Sequence, residues 1–154
     1  MKIALEDFCV EHSYWLDDYA RYWALKEENN QKCWIEWDSN KIDNRELINE
    51  AKIMQFIFHN QWIRLRGYAR EKGIQLVGDM PIYVGYDSAD VCFNRDLFQL
   101  DGYGKMEYQG GCPPCDYQKE GQLWGTPLYD WNKHIQPDFI WWENRFKKLF
   151  EIRL

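Results

Sequence analysis

A carboxylate follows a short apolar run in the stretch Gly73-Ile-Gln-Leu-Val-Gly-Asp-Met-Pro-Ile-Tyr-Val-Gly85. Ile74, Leu76 and Val77 after a glycine read as a buried parallel strand. Gly78 lets the backbone bend, and Pro81, with no N–H to give, closes the regular part. Asp79 then sits where the strand ends. An acid at the C-terminal end of a buried strand, before an irregular loop, is the geometry of an α/β-barrel active face. The plainer alternative is that Asp79 caps a turn or makes a local salt bridge. A second candidate is Gly121-Gln-Leu-Trp-Gly125. Two glycines flank Gln122 and Trp124, so a tight backbone holds both side chains outward, as a wall for a flat ligand such as a sugar ring. Its alternative is that Trp124 and Trp131 anchor a long loop in the core. A third is Cys112-Pro-Pro-Cys115, with the C-x-x-C spacing of redox and zinc sites. A thioredoxin-like motif opens a helix after a strand, and this one lies in a glycine-rich loop. A zinc site needs Cys92, His134 or His59 to converge on it, since no second C-x-x-C exists.

The elements that position these groups follow from periodicity. Residues 10–28 read as a helix with Tyr14, Trp15, Tyr19, Tyr22, Trp23 and Leu25 at helical spacing, and Asp17 and Asp18 on its solvated face. Residues 27–44 read as a loop with an aromatic anchor at Trp34, Ile35 and Trp37. Residues 44–72 carry the longest helical signal. Asn44 caps it, Glu46 and Glu50 favour its start, and Gly73 stops it. Leu47, Ile48, Ala51, Met54, Ile57, Phe58, Trp62, Leu65 and Ala69 form its apolar stripe. His59 within it is a packed or surface histidine. Residues 86–109 form an ordered excursion whose Phe93, Leu97, Phe98 and Leu100 must pack, with a turn at Asp101-Gly102-Tyr103-Gly104. A last helix begins near Gln136-Pro137-Asp138, and residues 150–154 read as the start of a strand.

The whole chain narrows the function classes. Its 154 residues make one ordinary domain or part of a larger one. A net charge of −6 argues against nucleic acid and anionic membrane as partners. No apolar run is long enough to span a bilayer, and the first ten residues do not read as a signal peptide. Aromatic residues make up 18% of the chain, nine of them tryptophan, which suits a large core or a sugar-stacking surface. Five cysteines without disulfide-scaffold density fit a reducing cytoplasm.

Several motifs, in order, resemble the 4-α-glucanotransferases, the amylomaltase or disproportionating-enzyme family. They are Trp15-Leu-Asp-Asp-Tyr-Ala20 with Ala24-Leu-Lys-Glu27, Gln61-Trp62, and Gly78-Asp-Met-Pro-Ile-Tyr-Val84 with Asp87-Ser-Ala-Asp90. Gly121-Gln-Leu-Trp-Gly125 with Pro127-Leu-Tyr-Asp-Trp131, and Trp141-Trp142 with Arg145, complete the set. The match runs from about Phe8 to Leu154. The resemblance implies an α/β fold, part of a (β/α)₈ TIM barrel with helical insertions, occupying residues 1–154. It implies retaining transfer of α-1,4-glucan segments between malto-oligosaccharides or starch- and glycogen-derived glucans, with no metal or organic cofactor. Carried over residue by residue, Asp79 resembles a sugar-contacting or site-shaping carboxylate and Tyr83 an aromatic near the sugar. Gln122 and Trp124 resemble loop residues lining the subsites beside the scissile bond. Arg153 resembles the arginine that holds the nucleophile ionised.

Two departures qualify that picture. The family's last strand here reads Arg, an aliphatic residue, then Asp-His-Phe, with that Asp the nucleophile. Arg153 and Leu154 match the two positions before it, so none of the family's catalytic carboxylates falls within these 154 residues. A (β/α)₈ barrel also takes about 250 residues. The chain therefore reads as a fragment, inactive alone, marginal or aggregation-prone, and calling for a complementary C-terminal chain. The second departure places Cys115 where the family has an aspartate and Tyr117 where it has a phenylalanine. Two other classes stay open: a non-catalytic carbohydrate-binding or assembly module, and the zinc or redox site at Cys112 and Cys115.

Overall fold

The computed structural model describes residues 2–38 and 43–153. Among the described residues, six α-helices and a two-stranded hairpin make up the regular structure: α1 (Lys2–Glu11), α2 (Ser13–Glu28), α3 (Arg45–Glu71), α4 (Ala89–Phe93), β1 (Gln109–Cys112), β2 (Gln122–Pro127), α5 (Trp131–Ile135) and α6 (Ile140–Arg153). Single 3₁₀ turns lie at Trp34–Glu36 and Arg95–Leu97.

The two long helices form where the spacing puts them. Asn44 caps α3 by accepting from the amides of Glu46 and Leu47, so two of the four orphan donors at that end are satisfied. α3 packs along α2 through Ala51, which is fully buried, and Lys52 pairs with Asp17 across the seam. Only part of the expected apolar stripe is covered. Met54, Ile57, Phe58 and Leu65 remain exposed. The first helix, α1, lies ahead of the helix expected at residues 10–28, which starts at Ser13. Its Phe8 is buried against Phe56 and His59 of α3.

The core lies at the other end of α2, around Tyr22, Trp34, Val84, Val91, Phe98, Tyr129 and Trp142. Trp34 is its hub. The Trp34 indole N–H donates to the Tyr86 carbonyl at 2.7 Å, and the Arg95 guanidinium lies over its ring at 4.4 Å. The aromatic anchor expected in residues 27–44 is thus this side chain; positions 39–42 of that loop lie outside the described residues. Asp87 ties the segment after Val84 to α2. It accepts from Tyr22 Oη at 2.5 Å, Lys26 Nζ at 2.7 Å and the Trp34 amide at 3.3 Å. Burial pushes its carboxyl up, but these donors outweigh that and hold it below the ordinary aspartate value. Phe98 is buried as expected. Its segment pairs with a distant one: Gln99 N–H donates to Leu128 O, and Asp130 N–H donates to Leu97 O. The turn at residues 101–104 closes a miniature hairpin, with Leu100 bridging to Met106.

Two expected strands are absent. The run Ile74–Val77 has no regular secondary structure and no ladder partner among the described residues, and Val77 is 91% exposed. A strand exists only by hydrogen bonding to a neighbour, and an apolar run does not itself supply one. Residues 150–153, expected to begin a strand, instead continue the last turn of α6; Leu154 lies outside the described residues. The sheet that does form is a two-stranded antiparallel hairpin with a bulge between Gln109 and Gly111. The fold is mixed α/β. Among the described residues, no helix is long and apolar enough to cross a membrane.

His134 packs edge-on or tilted against Tyr129, Trp131, Trp141 and Trp142 and is almost fully buried. Its Nε2 lies 3.1 Å from Leu97 O, which fits an N–H donor there and a neutral ring. Burial lowers its pKa, against a smaller upward pull from the Leu97 bond and Asp130. The unfolded chain therefore takes up this proton at higher pH than the folded one. Stability from this group is complete above about pH 6.5 and is lost as pH falls below it, by at most about 1.4 kcal/mol per pH unit. Urea midpoints of the chain and of His134→Gln between pH 7.5 and 5 check this. The variant should show a shallower slope, and parallel slopes would refute the assignment.

Candidate carbohydrate-contacting site

The hairpin is built around glycines because its strands and neighbours approach too closely for side chains. A Cβ at Gly111 would lie 2.3 Å from the Gln122 carbonyl oxygen. At Gly110 it would lie 2.6 Å from Thr126 Oγ1, 3.3 Å from Trp124 Cε3 and 3.5 Å from Tyr83 Cδ1. Gly110 is therefore the floor on which two aromatic rings from different segments meet. Tyr83 and Trp124 stand with centroids 5.5 Å apart, tilted by 60°. They are 40% and 44% exposed, so they face solvent as a half-open apolar wall and not as core anchors. Gln122 and Trp124, two apart on β2, share a face. The Trp124 indole N–H donates to Gln122 Oε1 at 2.9 Å, which sets the ring's orientation.

Tyr83 is held from behind by residues that the sequence reading did not single out for the site. Tyr129 stacks on it at 6.4 Å, and its hydroxyl donates to the Ile82 carbonyl at 2.6 Å. Burial pushes the Tyr129 hydroxyl up to about 12, so it stays a neutral donor. Arg145 of α6 donates to the Pro81 carbonyl at 2.7 Å, pairs with Asp90 at 3.6 Å and lies over the Trp141 ring at 4.7 Å. The segment 81–83 is thus clamped from two sides. The signal for Arg145 was its spacing: four residues after Trp141 on a helix, the two side chains share a face.

Of the five expected site residues, the structure brings Tyr83, Gln122 and Trp124 together. Asp79 lies four residues before Tyr83, exposed, accepting the Met80 amide at 2.8 Å. Arg153 is on the last turn of α6 and not on a strand. Such a wall offers flat apolar rings for the C–H face of a pyranose and an amide for its hydroxyls. Cys112 and Cys115 are free thiols, at the end of β1 and in the loop after it. Among the described residues, no group of three or more His, Cys, Asp or Glu side chains gathers to hold a metal, so the structure lends the zinc reading no support.

A family model described as 4-alpha-glucanotransferase matches residues 1–153. A 4-alpha-glucanotransferase of Aquifex aeolicus is 47% identical over 96% of this chain and 33% of its own length. One from Streptococcus pneumoniae is 36% identical over 96% of this chain and 32% of its own length. Among solved structures, an amylomaltase from Streptococcus agalactiae in complex with acarbose superposes with a TM-score of 0.87. It is 37% identical, with 97% of this chain and 32% of that one covered. An amylomaltase from Corynebacterium glutamicum, 19% identical, shares the fold at a TM-score of 0.76, with 99% and 21% covered. The chain thus spans about a third of the length of the curated relatives it matches, and it belongs to the 4-alpha-glucanotransferase family.

Proposed function

We propose that this chain forms one wall of a retaining 4-α-glucanotransferase site that passes α-1,4-glucan segments between malto-oligosaccharides. The observation that carries the reading is the exposed Tyr83–Trp124 pair on its glycine floor, in a chain of this family. The chemistry calls for two carboxyl groups about 5–5.5 Å apart. One attacks the anomeric carbon while the other protonates the departing 4-oxygen. The acceptor's 4-hydroxyl then displaces the first carboxylate and returns its proton to the second. Transfer in place of hydrolysis needs water kept from the glycosyl-enzyme. In this reading the hairpin carrying Gln122 and Trp124 takes that task. In this reading Asp79 shapes the sugar-facing rim, and Arg153 holds a catalytic carboxylate ionised. The catalytic pair itself comes from polypeptide beyond these 154 residues.

The same reading makes residues 1–154 part of a (β/α)₈ barrel. The exposed apolar run Ile74, Leu76 and Val77 supports this, since further strands would cover it. A complementary C-terminal chain is the partner it calls for.

The experiment grafts these 154 residues onto the remaining two thirds of the Aquifex aeolicus relative and follows glucose release from maltotriose. The graft is expected to transfer, and the 154-residue chain alone is not. A folded but inactive graft would overturn the activity, as would turnover by the short chain its division of labour. Within the graft, Trp124→Ala should lower kcat/KM by about tenfold or more, with Trp124→Phe keeping most of it. An unchanged Trp124→Ala would remove the wall from the mechanism.

A further inference from the structure

Tyr83 lies in a bend outside any strand, so no ladder fixes its backbone. Each of the two carbonyls ahead of it is held instead by one side chain. Tyr129 Oη donates to Ile82 O at 2.6 Å, and Arg145 Nη2 donates to Pro81 O at 2.7 Å from 64 residues away. The two holders differ in kind. Tyr129 belongs to the core cluster, so its loss would open the core. Arg145 reaches in from α6 with a side chain that is 19% exposed. Its plane is fixed from three directions: Nη2 on Pro81 O, Nη1 at 3.6 Å from Asp90 Oδ2, and its face at 4.7 Å from the centroid of the Trp141 ring. A guanidinium offers that fork and that face together, and an ammonium does not. The segment is anchored independently further on, by buried Val84 and by the three donors on Asp87. What Arg145 adds is therefore confined to residues 81–83.

We propose that Arg145 is a positioning residue of the sugar-facing wall. It holds the Pro81 carbonyl, and this sets where the Tyr83 ring stands. The Tyr83 ring in turn sets the meeting with Trp124, 5.5 Å between centroids and tilted by 60°, against which an α-1,4-glucan lies. Arg145 acts from behind the ring and not by contact with sugar. Asp90, in the first turn of α4, acts one step further back by orienting the guanidinium. The glucan part of this inference rests on the function proposed above; the link from Arg145 to Trp124 does not.

The test has two readouts. The first labels the 154-residue chain with fluorotryptophan and assigns the Trp124 and Trp34 resonances by their loss in Trp124→Phe and Trp34→Phe. Arg145→Lys keeps the charge and loses the fork. It should shift the Trp124 fluorine resonance and leave that of Trp34 in place. The second readout is maltotriose transfer by the graft with the Aquifex aeolicus remainder. There Arg145→Lys should raise KM by about fivefold or more and change kcat by less than about twofold, because a tilted wall loses binding shared by ground and transition states. A purely structural loss would lower the amount of active protein, and so the apparent kcat, with KM unmoved. An unmoved Trp124 resonance, or an unchanged KM, would overturn the positioning role. A parent graft that does not transfer would overturn the glucan reading alone, and the fluorine spectrum then decides the role of Arg145 by itself. If Arg145→Lys fails to fold, Asp90→Asn replaces it in both readouts. It should shift the Trp124 resonance as well, with a smaller rise in KM, and an unmoved resonance there would overturn the role too.

Discussion

Trp34→Ala is expected to destabilise the chain by about 3–5 kcal/mol, a large share of the roughly 5–15 kcal/mol that holds a domain of ordinary stability. Three losses combine. The indole is 4% exposed at the centre of the core cluster, so its removal opens a cavity. The Tyr86 carbonyl loses the N–H that satisfies it. The Arg95 guanidinium loses the ring beneath it. Gly104 shows how closely the site is filled, since a Cβ there would come within 2.9 Å of the Trp34 ring. Nothing small will therefore repack the space, and partial collapse will not recover the loss. Urea denaturation of the variant beside Trp37→Ala measures it. Trp37 is only half-buried and donates to Lys32 O, so its loss should be clearly the smaller. A Trp34→Ala cost below about 1 kcal/mol would mean that the hub lies elsewhere.

Gly111→Ala is expected to split the hairpin while sparing the helices. The new Cβ would sit 2.3 Å from the Gln122 carbonyl oxygen, a backbone atom that cannot rotate away. The strands must part, and β2 carries Gln122 and Trp124 with it. Amide exchange should lose its protection in residues 109–112 and 122–127, with α2 and α3 unchanged. In the graft with the Aquifex aeolicus remainder, transfer should fall by about a hundredfold or more, because a site residue displaced by an ångström is costly to orientation. Gly85→Ala is the control. A Cβ there meets nothing within 4 Å, so that variant should keep both protection and activity. Retained hairpin protection in Gly111→Ala would show that β1 and β2 need no close approach at that point.

These residues also show which features can be read without coordinates. The cap at Asn44, the length of α3 and its stop at Gly73 rest on groups within four residues of one another. So does the turn at Asp101–Gly104. Helix and turn hydrogen bonds close locally, and sequence spacing therefore specifies them. The ordered sequence motifs likewise marked the glucanotransferase family. The outcome at Ile74–Val77 and at residues 150–153 was not legible in that way. A buried strand and an exposed irregular segment share one apolar pattern, and only a neighbouring backbone separates them.

The site divides along the same line. Gln122 and Trp124 on one face of β2, with glycines beside them, follow from a period of two and from backbone freedom. That Trp124 meets Tyr83 across Gly110, that Tyr129 and Arg145 brace the segment behind Tyr83, and that Trp124 faces solvent and not core, were decided by segments about 15 to 60 residues apart in the chain. Local residue types set the helices, turns and candidate groups because their interactions close within a turn or two. The tertiary structure alone chose which of those groups share a wall, because contacts across such separations depend on how whole elements pack.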